Sequence, residues 1–180
     1  MNTRRNMNKI YIFKTNAQKG ELSKTAYSLL DKLLLENYGI AMPTILKTAK
    51  GKPYLKDHDV YFNISHTNGA IAIAFSESET GVDIEHVRPT DTKIANRFFC
   101  ESEAAFLEKV ENKNAEFLKM WTRKEAYIKM TGEGISAGLN TFDTLEEKIA
   151  KKIKTFEIEG FYISVCSKNT DDFETIITTI

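Results

Sequence analysis

Cysteine is scarce in this chain. Only Cys100 and Cys166 occur among 180 residues, and their separation fits neither a CxxC pair nor a zinc-ligand spacing. A disulfide framework is excluded as the basis of the fold, and a reduced, cytoplasmic setting is expected. Net charge is missing too. Lys and Arg number 25, as do Asp and Glu, so no overall field favours nucleic acid or acidic partners, and any basic site has to be local. Long apolar runs are absent. Nothing approaches the roughly 20 consecutive apolar residues that a membrane span needs. Behind Arg4 and Arg5 stands only Ile10 to Phe13, too short for the core of a signal peptide and suited to a first strand. Internal repeats and low-complexity linkers are missing as well.

What is present is an ordinary globular composition, 42% hydrophobic and 28% charged. The length suits one domain or two small, closely packed lobes, and it can bury a core without staples. Residues 10–13 read as a strand. Leu22, Ala26, Leu29, Leu30, Leu33 and Leu34 recur at helical spacing, which predicts a helix over 22–38 with Gly39 as its stop. Strands are expected at 60–64, 70–75 and 81–85. Pro89 and Asp91 open a helix over about 92–111, and a second helix runs from about 114 to 130, ending near Gly132 and Gly134. Strands near 153–158, 161–166 and 173–178 complete an α+β pattern, with strands and helices segregated rather than alternating.

Four features carry chemistry. On a strand, residues two apart share a face, so Gly81-Val82-Asp83-Ile84-Glu85 presents two carboxylates side by side and turns Val82 and Ile84 to the core. Paired carboxylates repel unless a cation or proton lies between them. Hard oxygen ligands of this kind suit Mg2+, although a solvated edge strand has the same pattern. Trp121, Glu125 and Lys129 stand four apart on one helical face, as a site or as a surface ion pair beside a core tryptophan. Asn63-Ile-Ser65-His66-Thr-Asn-Gly69 reads as a turn with donors for a phosphate, and a structural histidine is its plain alternative. Lys52, fixed by Pro53, is either a phosphate or nucleobase contact or a solvated lysine in a turn. Glu101 and Glu103, on the preceding helix, read as solvated acids. Other motifs fail. Gly132-Glu-Gly134-Ile-Ser-Ala-Gly138 is one residue too long for a dinucleotide fingerprint and follows a helix instead of opening one. No phosphate loop and no nucleophile elbow occur.

The order of the pieces says more than any one of them. G-K-P-Y, F-N-I-S-H, G-V-D-I-E, R-F-F-x-x-x-E and W-x-x-K-E-A-Y-x-K, in this succession over residues 50–136, resemble the 4'-phosphopantetheinyl transferase superfamily, and most closely its surfactin-synthetase type. The resemblance implies two similar α+β lobes related by an internal pseudo-twofold. Residues 1–85 would be a shortened N-terminal lobe and 86–180 the C-terminal lobe, with the active site and coenzyme A cleft between them. It implies transfer of phosphopantetheine from coenzyme A to a serine of an acyl- or peptidyl-carrier protein, releasing adenosine 3',5'-diphosphate. Mg2+ or Mn2+ would be held by Asp83, Glu85 and Glu125. Glu125 or Glu103 would take the serine proton, and Lys129 would serve the phosphates as a catalytic group. Coenzyme A would lie along Lys52 and Pro53, with Ser65, His66, Lys124 and Lys129 around its phosphates. Lys19, Lys24 and Thr25 are candidates for the 3'-phosphate. A carrier helix would dock at Phe98 or Phe99 unless both belong to the core. The expected protein is a monomer without nucleic acid or membrane partners. A non-catalytic binding module and a diphosphate hydrolase are the rival readings.

Overall fold

The computed structural model describes residues 8–134, 138–168 and 173–180. β1 (Lys9–Lys14) is apolar on both faces. Tyr11 and Phe13 point into one core, and Ile10 and Ile12 into another, as a period of two demands. β5 (Ala70–Ser76) pairs antiparallel with it and alternates in size. Ile71, Ile73 and Phe75 join Tyr11, while Ala70, Ala72 and Ala74 make a flat face on the other side. α1 (Leu22–Tyr38) covers the bulky face with Leu22, Ala26, Leu30, Leu33 and Leu34. It ends where predicted, with Gly39 in the left-handed conformation at φ 69°.

β4 (Tyr61–Thr67) joins β5 through a tight turn at Asn68 and Gly69, and β9 (Glu174–Thr179) lies parallel to β1 on its far side. The sheet order is β4-β5-β1-β9. A separate hairpin, β2 (Ile45–Lys47) with β3 (Pro53–Leu55), follows α1.

The second sheet has the order β6-β8-β7, from β6 (Thr80–His86), β7 (Ile153–Ile158) and β8 (Phe161–Ser167). Val82, Ile84, Ile163 and Val165 pack onto the alanine face of the first sheet. α4 (Lys113–Thr131) lies on the opposite face, tied down by Thr122 Oγ1 and Ser164 Oγ at 2.8 Å. The layers therefore run α1, sheet, sheet, α4. Because Val82 and Ile84 point inward, Asp83 and Glu85 must point toward α4.

Two expected elements are corrected. The helix over 92–111 is not continuous. A 3-10 turn (Thr92–Ile94) and α2 (Ala95–Phe98) end at an extended Phe99 and Cys100, and α3 (Glu101–Lys109) starts afresh. Cys100 caps α3, and its N–H donates to Glu103 Oε2 at 3.1 Å. The break lets Phe99 stack on Phe117 while Phe98 meets Trp121 edge-on. Phe99 therefore belongs to the core and Phe98 is half-buried against it, and the exposed apolar side chains of this region are Ile94 and Phe106. Second, Ser65, His66 and Thr67 lie on β4, not in a turn, since they pair with Ala72, Ile71 and Ala70.

A division of the chain at residues 85 and 86 would run through β6, which pairs with β8 from Thr80 to His86. The chain passes from the first sheet to the second at residues 77–79, and β9 returns to the first. Among the described residues, no helix is long and apolar enough to cross a membrane. α5 (Glu147–Ala150), a single turn, leads into β7.

Candidate active site

A glycine sets the distance between β6 and α4. A Cβ on Gly81 would lie 2.0 Å from the Ala126 carbonyl oxygen and 2.4 Å from Met130 N. With no side chain there, the strand that carries Asp83 and Glu85 rests directly on the helix that carries Glu125 and Lys129. Lys129 Nζ donates to Asp83 Oδ1 at 2.6 Å, to Ser65 Oγ at 2.9 Å and to Val82 O at 3.2 Å. Ser65 Oγ donates to the same Asp83 oxygen at 2.8 Å.

The acids here are in electrostatic contact. Burial pushes the Glu85 carboxyl above its ordinary value, and the Asp83 charge adds to this, while Arg88 and Lys129 oppose it. Glu125 is also raised, first by burial and then by Asp83, with Lys129 pulling the other way and Glu85 adding to the rise. Asp83 Oδ2 is buried and has no hydrogen-bond partner among the described residues. An orphaned carboxylate oxygen beside two more carboxylates is a donor set that fits a hard divalent cation such as Mg2+. Here the Lys129 ammonium rests on Asp83 Oδ1. Among the described residues, the His, Cys, Asp and Glu trio with ligand atoms within 4.8 Å of one another is instead Cys100, Glu103 and Asp143. The ammonium of Lys124 already neutralises that group at Glu103.

Glu125 and Lys129 line one wall of a cleft of about 460 Å³. The predicted Lys52, Pro53 and His66 line it too. Lys52 Nζ also pairs with Glu79 and donates to Met130 O at 2.7 Å, so it caps the C-terminal end of α4. Ser65 is corrected: its hydroxyl points inward to Asp83 and Lys129 and is engaged there. Lys19, Lys24 and Thr25 are not among the lining residues. α1 contributes Ser23 and Tyr27 instead, and the loop before β3 adds Lys50. Ser23 and Tyr27 stand four apart on one face of α1, a signal the sequence contains, although leucine spacing on the same helix dominates it.

Lys124 and Glu103 are corrected as well. Both side chains are fully buried, 2.5 Å apart. Lys124 Nζ donates to Leu139 O at 2.8 Å and Phe142 O at 2.7 Å, and Glu103 Oε1 accepts from Thr144 N and Oγ1. None of these contacts reaches Asp83, Glu85 or Glu125. The pair locks α3, α4 and the 139–144 segment together. Removing one partner strands the other without compensation. Lys124→Met is therefore expected to cost about 3 kcal/mol, and Lys124→Met with Glu103→Gln should recover part of that. Urea denaturation measures both, and a Lys124→Met protein as stable as the parent would refute the locking role.

Comparison with known proteins places these features in a family. A model of the 4'-phosphopantetheinyl transferase superfamily matches residues 79–178. The chain is 37% identical over 166 residues to the 4'-phosphopantetheinyl transferase gsp of Aneurinibacillus migulanus, covering 80% of this chain and 70% of that one. It is 36% identical over 119 residues to the transferase psf-1 of Bacillus pumilus, covering 63% and 51%. It is 32% identical over 137 residues to the transferase Sfp of Bacillus subtilis strain 168, covering 67% and 61%. The matches thus span from about half to 70% of the length of these curated relatives.

Proposed function

Given that the chain belongs to the 4'-phosphopantetheinyl transferase superfamily, we propose that it moves the phosphopantetheine arm of coenzyme A onto a serine of an apo acyl- or peptidyl-carrier protein. Adenosine 3',5'-diphosphate is the leaving group. The observation that carries this reading is the meeting of Asp83, Glu85, Glu125 and Lys129 beside a cleft with Lys50, Lys52 and His66 on its wall. Three acids suit a cation, and the cationic wall suits a phosphorylated ligand.

Asp83, Glu85 and Glu125 would hold Mg2+ or Mn2+, which when bound supplies positive charge to the diphosphate oxygens. Lys129 adds its ammonium to the same oxygens, where charge develops as the bond to the leaving group breaks. The serine oxygen forms a bond to the pantetheine-side phosphorus, and the serine proton passes to Glu125. Glu103, sealed by Lys124 and Thr144, has no path to that proton. Lys50, Lys52 and His66 take the remaining phosphate charge.

The Ser65 hydroxyl acts through its neighbours. Ser65→Ala should lower kcat about tenfold and leave KM for coenzyme A unchanged, because hydrogen bonds to charged groups contribute about 1.5–3 kcal/mol. A raised KM with intact kcat would assign the hydroxyl to a phosphate instead.

Two lobes related by a pseudo-twofold are part of the same proposal, supported by one helix on the outer face of each sheet. So are a monomeric state and a cytoplasmic site of action. Incubation with coenzyme A, Mg2+ and an apo-carrier, followed by mass measurement of the carrier, tests the activity. A gain of one phosphopantetheine is expected. An unchanged carrier with intact coenzyme A would mark a binding module, and an unchanged carrier with cleaved coenzyme A a hydrolase.

A further inference from the structure

Asn63 lies on β4 with only 4% of its surface exposed. β4 and β6 belong to different sheets, and the Asn63 side chain bridges them: its Oδ1 accepts the Val82 N–H at 2.9 Å. A backbone N–H can only donate, so this bond fixes the amide in one orientation. Oδ1 faces β6, and Nδ2 faces away from it. The two N–H groups of Nδ2 have no partner among the described residues. Among the described residues, the sealed side-chain atoms without partners are Asp83 Oδ2 and Arg123 Nε, so Nδ2 is not sealed, and Asn63 lines the cleft. A buried amide, locked at its oxygen and vacant at its nitrogen, is a preset donor.

Its position along the cleft says what it meets. Val82 follows Gly81, and Gly81 lies against Met130. Lys52 Nζ reaches the carbonyl of that same Met130. Asn63 and Lys52 therefore share one end of the cleft. Glu85 lies three residues further along β6, about 10 Å away at strand rise. Glu125 stands one helical turn before Lys129, toward that second end. In the transfer reading, on which this inference rests, the acceptor serine and its base occupy the Glu125 end. The half of coenzyme A that leaves then lies on the other side of the diphosphate, where Asn63 is.

We infer that Asn63 is a hydrogen-bond donor to the nucleotide half of bound coenzyme A. The amide that meets the ligand also holds the Val82 N–H, next to Asp83.

Side-chain amide resonances of 15N-labelled protein give the test. The pair missing from Asn63→Asp belongs to Asn63. That variant keeps an acceptor for Val82 N, removes the donor and adds a carboxylate. Adenosine 3',5'-diphosphate should shift the wild-type pair to saturation, and 4'-phosphopantetheine should leave it in place. By calorimetry, Asn63→Asp and Asn63→Ala should each bind the nucleotide at least about tenfold more weakly than the parent, the neutral alanine excluding charge repulsion as the cause. If the aspartate disturbs β4, Asn63→Ala provides the same assignment and affinity comparison. An amide pair unmoved by saturating nucleotide, or one moved equally by 4'-phosphopantetheine, overturns the inference while the transferase reading stands. Wild-type protein that binds neither coenzyme A nor the nucleotide overturns both.

Discussion

Gly81→Ala is expected to leave little or no folded protein. The new methyl would meet the Ala126 carbonyl oxygen at 2.0 Å, Met130 N at 2.4 Å and the Lys129 carbonyl carbon at 3.0 Å. All three are backbone atoms, so no rotamer change relieves the clash. Ordinary overpacking costs about 1–3 kcal/mol, and here either a whole helix or the whole of β6 must move. That exceeds the ordinary cost and consumes much of the roughly 5–15 kcal/mol that holds a domain folded. Any folded fraction would carry Glu125 and Lys129 away from Asp83, and a displacement of about 1 Å already lowers turnover about 100-fold. Gly20→Ala is the control, since a Cβ there meets nothing within 4 Å. Thermal denaturation of the two variants decides the matter. A Gly81→Ala protein that melts like its parent would show that the β6–α4 approach is not fixed by this glycine.

Asp83→Asn should separate stability from function. The variant keeps an oxygen for Ser65 and Lys129 to meet, so its fold should survive. It removes the charge that adds to the burial-driven rise of both Glu85 and Glu125. Carboxyls raised above their ordinary 4.5 bind protons more readily in the folded chain than in the unfolded one. Their contribution to stability is present below that value and is lost as pH rises through the folded-state values. The stability of Asp83→Asn relative to the parent should therefore improve as pH climbs from acid to neutral. Transfer should fall by about 100-fold or more, as when a group that stabilises transition-state charge is removed, and calorimetric Mg2+ binding should disappear. Full transfer in this variant would refute the metal assignment. A stability difference independent of pH would refute the coupling among the three acids.

Much of this site was legible because its parts obey local rules. Period two put Asp83 and Glu85 on one face of β6, and period 3.6 put Glu125 and Lys129 on one face of α4. The same helical geometry explains the error at Lys124. It is adjacent to Glu125 in sequence but about 100° around the helix, which turns it into the core. Ser65, His66 and Thr67 have the composition of a turn, and pairing with the alanine-rich β5 overrides it. The break at Phe99 was hidden for two reasons. Apolar spacing continues across it, and the capping position that usually shows Ser or Thr before a glutamate holds Cys100 instead. Glu103, which looked like a solvated acid, is both the partner of that cap and the counter-ion of Lys124. No local pattern could have assigned β9 to the first sheet, because that choice depends on β1.

The pairing of β9 with β1 sets a timetable for assembly. Lys9 lies opposite Glu174 and Lys14 opposite Thr179, so the first sheet cannot acquire its fourth strand until the end of β9 has emerged from the ribosome. Until then β1 has an open edge, bare of its parallel neighbour, while α1 and the β4–β5 hairpin are already available to fold. Closure of this sheet is a late event of high contact order, and between the synthesis of β1 and that of β9 the nascent protein carries that edge unprotected.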